Sequence, residues 1–313
     1  MTNTVRKILS PFLEAGRSEA VHELSRSPVA AVSGLIACAL LVLAAAAPLI
    51  APYNAFDPAS ATIMDARLPP GSNGLMGNRY LLGTDPLGRD LLSAMLYGLR
   101  ISLAVGLGSV LLAACFGVAV GLLSGYCGGI ADAVLMRIAD VQLSLPPILV
   151  ALMIDGVALT VVDHESHRLL AVPILVVAIA TSLWVQFART VRAFVRVERN
   201  KEYILAARIS GVGTWPILTG HILPNCMAPV LVIATVNLAV AILTESTLSF
   251  LGAGVPPTEP SLGTLVRIGN EFLFSGDWWI SLLPGALLVT LSMSVNLFGD
   301  WLRDALNPKL RSG

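Results

Sequence analysis

Asp163, His164, Glu165 and His167 fall within one short segment. Carboxylates and imidazoles this close together are the donor set of a divalent-metal site. Four polar neighbours between apolar runs are also what any solvated loop contains, and that is the simpler expectation. The four cysteines, Cys38, Cys115, Cys127 and Cys226, lie in or beside apolar runs without a CxxC pair. They support neither a metal knuckle nor a redox motif and fit small packing residues. No GxxxxGK(S/T) phosphate loop and no HExxH pattern occurs, so any ATP hydrolysis must belong to another chain. Ionisable residues also stand inside apolar runs, Asp140 and Glu245 among them. Asp140 has Arg137 one turn before it, the spacing of a local ion pair. Glu245 sits in the middle of an apolar run, where an exposed charge would cost at least ~2.5 to 3.5 kcal/mol, so it must face protein or a water-filled path. Glu245 and, in the same run, Asn237 are the candidates for a translocation pathway, with structural pairing as the equal alternative.

The elements that hold these residues follow from composition. The chain has 313 residues, 55% hydrophobic and 13% charged, and a mean hydropathy of +0.78. That is too apolar for a water-soluble fold and describes a membrane protein. Its formal net charge is zero, so no basic field points to nucleic acid. A hydrocarbon core of ~30 Å needs ~20 apolar residues per helix. Six runs qualify: Val29 to Ile50, Ile101 to Gly125, Ala133 to Ala158, Leu169 to Ala188, Ala228 to Leu251 and Trp279 to Gly299. Pro146 and Pro147 are expected to kink the third. The first is too long, and follows too many acidic residues, to be a signal peptide. The organisation is therefore a segment 1–28, a first span 29–50, an outer loop 51–100 with an amphipathic segment, a core of five spans over 101–301 and a tail 302–313.

Orientation follows from Lys and Arg. With the amino terminus cytoplasmic, fourteen of the twenty fall in inner segments and six in outer ones, four of those in one long loop. The positive-inside rule then puts both termini in the cytoplasm.

The same rule places the loop 190–224 inside, with Arg192, Arg196, Arg199, Lys201 and Arg208. Its segment Lys201 to Asn225 is a polar interruption between the fourth and fifth runs. At about 100° per residue, Leu205, Ile209 and Val212 fall on one face and Tyr203, Ala206, Ala207, Ser210 and Gly211 on the opposite one. The small face permits close approach of another body, so the helix suits docking between its own membrane domain and something in the cytoplasm. An ordinary interfacial helix is the plainer alternative. Gly211 and Gly213 end it, and Trp215-Pro216 restarts the chain toward His221-Ile-Leu-Pro224.

Ala206-Ala207, Gly211 and His221-Ile222-Leu223-Pro224 resemble, in type and spacing, the "EAA" loop of permease subunits of ATP-binding-cassette importers. The resemblance extends to Leu82-Gly-Thr-Asp-Pro-Leu-Gly-Arg-Asp90, Arg100-Ile-Ser-Leu103, Leu248-Ser-Phe-Leu-Gly252 and Asn296-Leu-Phe-Gly-Asp-Trp-Leu-Arg-Asp-Ala-Leu306. Across nearly the whole chain it is similar to the second permease subunit of dipeptide and oligopeptide importers. The family's Glu before the two alanines is Leu205 here.

The resemblance implies an all-α polytopic protein of six transmembrane helices with the type I importer permease architecture, in a bacterial inner membrane. It implies a homologous second permease, two cytoplasmic ATPase subunits and a periplasmic or lipid-anchored substrate-binding protein as partners. ATP and Mg would be bound by the ATPases, leaving no cofactor, no metal and no catalytic residue on this chain. Glu202, Tyr203, Ala206, Ala207, Gly211, His221 and Pro224 would form the ATPase-coupling segment, and transport would proceed by alternating access. An ion-coupled secondary transporter remains the alternative: it would place ionisable residues and paired interrupted helices within the spans. A membrane-embedded enzyme is a more distant third reading.

Overall fold

The computed structural model describes residues 27–54, 62–75, 77–161 and 164–305, with the side chains of 164–169 outside the description. The expected amino-terminal segment, the end of the tail and the Asp163 to His167 side chains thus lie outside the described residues. The described chain is helical, and its only β-pairings are the isolated bridges Asn73 to Arg79 and Thr84 to Asp90.

The principal helices are α1 (Pro28–Ala45), α2 (Leu91–Cys127), α3 (Gly129–Ser144), α4 (Pro147–Val161), α5 (His164–Glu198), α6 (Glu202–Ile209), α7 (Leu223–Leu251), α8 (Leu262–Asn270) and α9 (Trp279–Ala305). Helices α1, α2, α5, α7 and α9 each contain a stretch long and apolar enough to cross a bilayer, and α3 with α4 makes a sixth crossing if the bent pair is one span. That pair corrects the expectation of a kinked helix. It is bent by 92°, because Leu145 before Pro146 is extended, at φ −97° and ψ 134°. A residue preceding proline is pushed out of the α region, so two helices form where one was expected.

The second crossing also begins earlier than Ile101. Asp90 caps α2 by accepting from the Ser93 backbone N–H at 2.8 Å and the Ser93 hydroxyl at 2.6 Å, which satisfies N-terminal donors and fixes the start at Leu91. Close packing of α2 on α5 comes from Gly117, Gly121 and Gly125, one per turn. A Cβ at Gly117 would lie 2.4 Å from the Trp184 carbonyl, and one at Gly121 would lie 2.6 Å from that of Ala188. Only hydrogen at these positions lets the two backbones meet, the usual way helices associate where lipid offers no hydrophobic drive. The largest core cluster lies among α2, α5 and α7 and includes Val105, Val120, Ile179, Phe187, Val191 and Val195. A second joins α1, α2, α7 and α9 through Leu40, Leu103, Ile242 and Leu291.

Candidate functional site

Helix α6 is short and stands between two joints. Before it, residues 199–201 form a turn. After it, Gly211 adopts φ +78°, the Val212 N–H donates to the Ala207 carbonyl at 3.0 Å and the Gly211 N–H to that of Arg208 at 3.0 Å. This is a Schellman terminus, which needs a left-handed residue and therefore favours glycine. Gly211 is exposed and a Cβ there would meet nothing, so its place in the motif comes from backbone conformation and not from a small contact surface.

The two faces of α6 are also arranged differently from the sequence reading. The residue turned into the protein is Ile204, at 0% exposure, with half-buried Ala207 beside it in the main core cluster. Leu205, Ile209 and Val212, the bulky face, are uncovered, Ile209 at 88%. Ala206 and Glu202 are exposed. Trp215, 70% exposed, stands just beyond. A short helix anchored by one isoleucine thus carries an apolar edge that nothing among the described residues covers.

Tyr203 and His221 come together edge-on, their ring centroids 6.3 Å apart. The Tyr203 hydroxyl donates to a carboxylate oxygen of Glu198 at the end of α5. Burial first, and then that carboxylate, push the Tyr203 phenol up to about 12, so the hydroxyl stays protonated and keeps donating. Pro224 has no N–H, and its ring crowds the carbonyl four residues back. The chain answers with one wide turn: residues Leu218–Ile222 form a π-helical segment closed by the Leu223 N–H on the Leu218 carbonyl, an adjustment that re-satisfies the backbone next to a proline.

Glu245 is fully buried. It lies less than two turns from the C-terminal end of α7, at Leu251, and is enclosed by this chain's own helices. Ser102 of α2 donates to its Oε2 at 2.7 Å and Ser249 to its Oε1 at 2.8 Å. The Ser102 oxygen in turn accepts from the Leu262 N–H at 3.3 Å, the first residue of α8. Glu245 therefore joins α2, α7 and the N-terminus of α8, where helix N–H groups favour negative charge. Asn237 is likewise fully buried, and neither of its amide atoms has a hydrogen-bond partner among the described residues. Both residues are enclosed in this conformation and do not line an open path.

Asp140 pairs with Arg189 of α5, and Arg137 is exposed. The expected local pair is replaced by a tertiary one because α3 packs on the arginine-bearing end of α5. The same face holds a group that sequence reasoning missed. Asp132 is 5% exposed and bonded to Arg192, Arg196 and Ser124. The i,i+4 spacing of the two arginines was its only sequence signal.

The segment Leu82 to Asp90 is a tertiary knot. Asp85 accepts from the Leu87 and Arg89 N–H groups at 2.9 Å each and from Arg89 Nε at 2.7 Å. Arg89 Nη1 donates to the Pro257 carbonyl at 2.9 Å, and Trp279 Nε1 to the Thr84 carbonyl at 3.4 Å. Gly88, at φ +76°, lets the turn lie against the Thr62 carbonyl, which a Cβ would approach to 2.1 Å. One short segment thus fastens the loop between α1 and α2 to α2, to the link after α7 and to the start of α9.

Comparison with known proteins identifies the family. The profile of the family described as binding-protein-dependent transport system inner membrane component matches residues 117–312. That of the N-terminal TM domain of oligopeptide transport permease C matches residues 17–70. The dipeptide transport system permease protein DppC of Haemophilus influenzae is 36% identical over 278 residues, 88% of this chain and 90% of its own length. The di/tripeptide transport system permease protein DppC of Pseudomonas aeruginosa is 39% identical over 285 residues, covering 90% and 89%. The oligopeptide transport system permease protein OppC of Mycobacterium bovis is 35% identical over 284 residues, covering 90% and 91%. Among solved structures, an inward-facing form of the MetNI methionine ABC transporter superposes with a TM-score of 0.50 at 18% identity, covering 69% of this chain and 98% of that one. At that identity the likeness is one of fold.

Proposed function

Because the chain belongs to the inner-membrane components of binding-protein-dependent transport systems, it is a transmembrane permease subunit of an ABC importer, and we propose that α6 is its coupling helix. In this reading the chain forms half of a translocation pathway for di- and oligopeptides or related small solutes, paired with a homologous permease. Two cytoplasmic ATPases bind ATP and Mg, and an external binding protein delivers the solute. Both termini lie in the cytoplasm. The observation that carries the coupling role is the contrast across α6: Ile204 is fully buried and Ile209 is 88% exposed. An apolar edge on a short, anchored helix suits a groove on another protein. The docking side is therefore the bulky one, Leu205, Ile209 and Val212, with Ala206 beside it.

Co-purification tests this. With a tagged permease expressed beside its partner permease and ATPases, Ile209→Glu should leave membrane insertion and permease pairing intact and lower ATPase recovery ~10-fold or more, as loss of a central apolar anchor does. Unchanged ATPase recovery would remove α6 from the interface.

A further inference from the structure

The joints on either side of α6 are turns, and a push delivered to a helix on two turns is absorbed by them. A polar clasp bypasses these joints. Glu198 is the last residue of α5 and its side chain is 8% exposed. Its Oε1 accepts from the Tyr203 hydroxyl of α6 and from Asn225 Nδ2 of α7 at 2.8 Å. Asn225 Nδ2 also lies 2.9 Å from the Tyr203 oxygen, and Lys201 Nζ lies 2.7 Å from Glu198 Oε2. One carboxylate therefore holds the end of one crossing, the start of another and the short helix between them. Its hydrogen bonds are charge-assisted, the stronger kind. Because it is largely buried, losing its partners would leave it without the water that could replace them. Below the clasp, Ile204 shares the main core cluster with Val195 of α5 and Cys226 of α7.

We propose that Glu198 is a positioning residue of the transport cycle: through Tyr203 and Asn225 it makes α6, the end of α5 and the start of α7 one rigid body, so that displacement of α6 reaches both crossings together. This rests on the reading of α6 as the coupling helix.

The test uses the assembled transporter with nitroxides at Ser210, at the end of α6, and Leu231, an exposed residue of α7. Their separation is measured without nucleotide and after trapping with ATP and vanadate. The unmutated clasp should keep the separation constant between the two states. Glu198→Ala, alone or with Asn225→Ala, should let it change by ~1 to 2 Å or more, the scale on which packed helices shift, while ATPase recovery stays normal. Glu198→Gln, which keeps an acceptor oxygen, should restore most of the constancy. Tyr203→Phe, which removes only one hydroxyl, should give a smaller change and guards against a misfolded Glu198→Ala. A change with the clasp intact, or constancy in all variants, would overturn the proposal. Failure of the coupling-helix reading would show separately, as ATPase recovery indifferent to Ile209→Glu.

Discussion

At Glu245 a carboxylate in an apolar run is made tolerable by the hydroxyls of Ser102, Ser246 and Ser249 and the N-terminus of α8. The residue type was legible in the sequence as something that must avoid lipid, but its partners were not, because Ser102 and Leu262 come from distant parts of the chain. Glu245→Leu should lower the stability of the purified permease by ~1 to 3 kcal/mol, because buried donors lose their acceptor. Ser102→Ala on that background should cost little more, since residues sharing one network are not additive. Thermal unfolding in detergent measures both, and full additivity would show that they act separately. Gly211 makes a second case. Its φ of +78° predicts that Gly211→Asn is tolerated and that Gly211→Leu costs about 1 to 2 kcal/mol at the end of α6, the price of forcing a side chain into the left-handed region. Equal behaviour of the two variants would return the argument to side-chain volume.

Elements were read well where one physical quantity decides them. Apolar length located the long crossings, because hydrocarbon thickness sets the length of an apolar run whatever its neighbours are. It missed the start of α2, where Asp90 and Ser93 cap a helix inside what reads as loop. It also merged α3 and α4, because two prolines within an apolar run announce a disturbance without saying whether the chain kinks or breaks. In α6 the helical period separated a bulky from a small face, whereas the structure leaves both largely exposed and turns Ile204 inward. Ile204 lies near the boundary between them, and only the core built by Val195, Ile217 and Ile222 turns it inward. The knot at Leu82 to Asp90 shows the same limit, since its glycines and aspartates are ordinary turn residues until Pro257 and Trp279 arrive. Arg89→Ala should release the outer loop from the link after α7 and strip Asp85 of a buried partner, a change that typically costs ~3 to 5 kcal/mol. Faster proteolysis within 62–90 under native conditions would register it, and unchanged cleavage would show that the knot does not hold the loop.

For the molecule as a whole, the sidedness of charge and the course of the helices predict where each surface lies. In a background without native cysteines, a cysteine at Ile63, 82% exposed in the outer loop, should react with a membrane-impermeant maleimide from outside the cell. One at Ile209, 88% exposed on α6, should react only after the membrane is opened. The reverse pattern would invert the topology and with it the place of the ATPases. With α6 as the proposed coupling helix, this arrangement would divide the work: α6 would receive force on one side of the membrane and the Glu198 clasp would spread it to α5 and α7, while the knot and Glu245 hold the opposite ends of α2, α7 and α9. That division is meaningful only if nucleotide hydrolysis on another subunit drives the cycle. The complete transporter with its binding protein, reconstituted in vesicles and offered labelled dialanine and trialanine, measures this directly. Uptake should require ATP on the ATPase side, stop with vanadate and fail under a proton or sodium gradient alone. Uptake driven by an ion gradient without nucleotide would contradict the account.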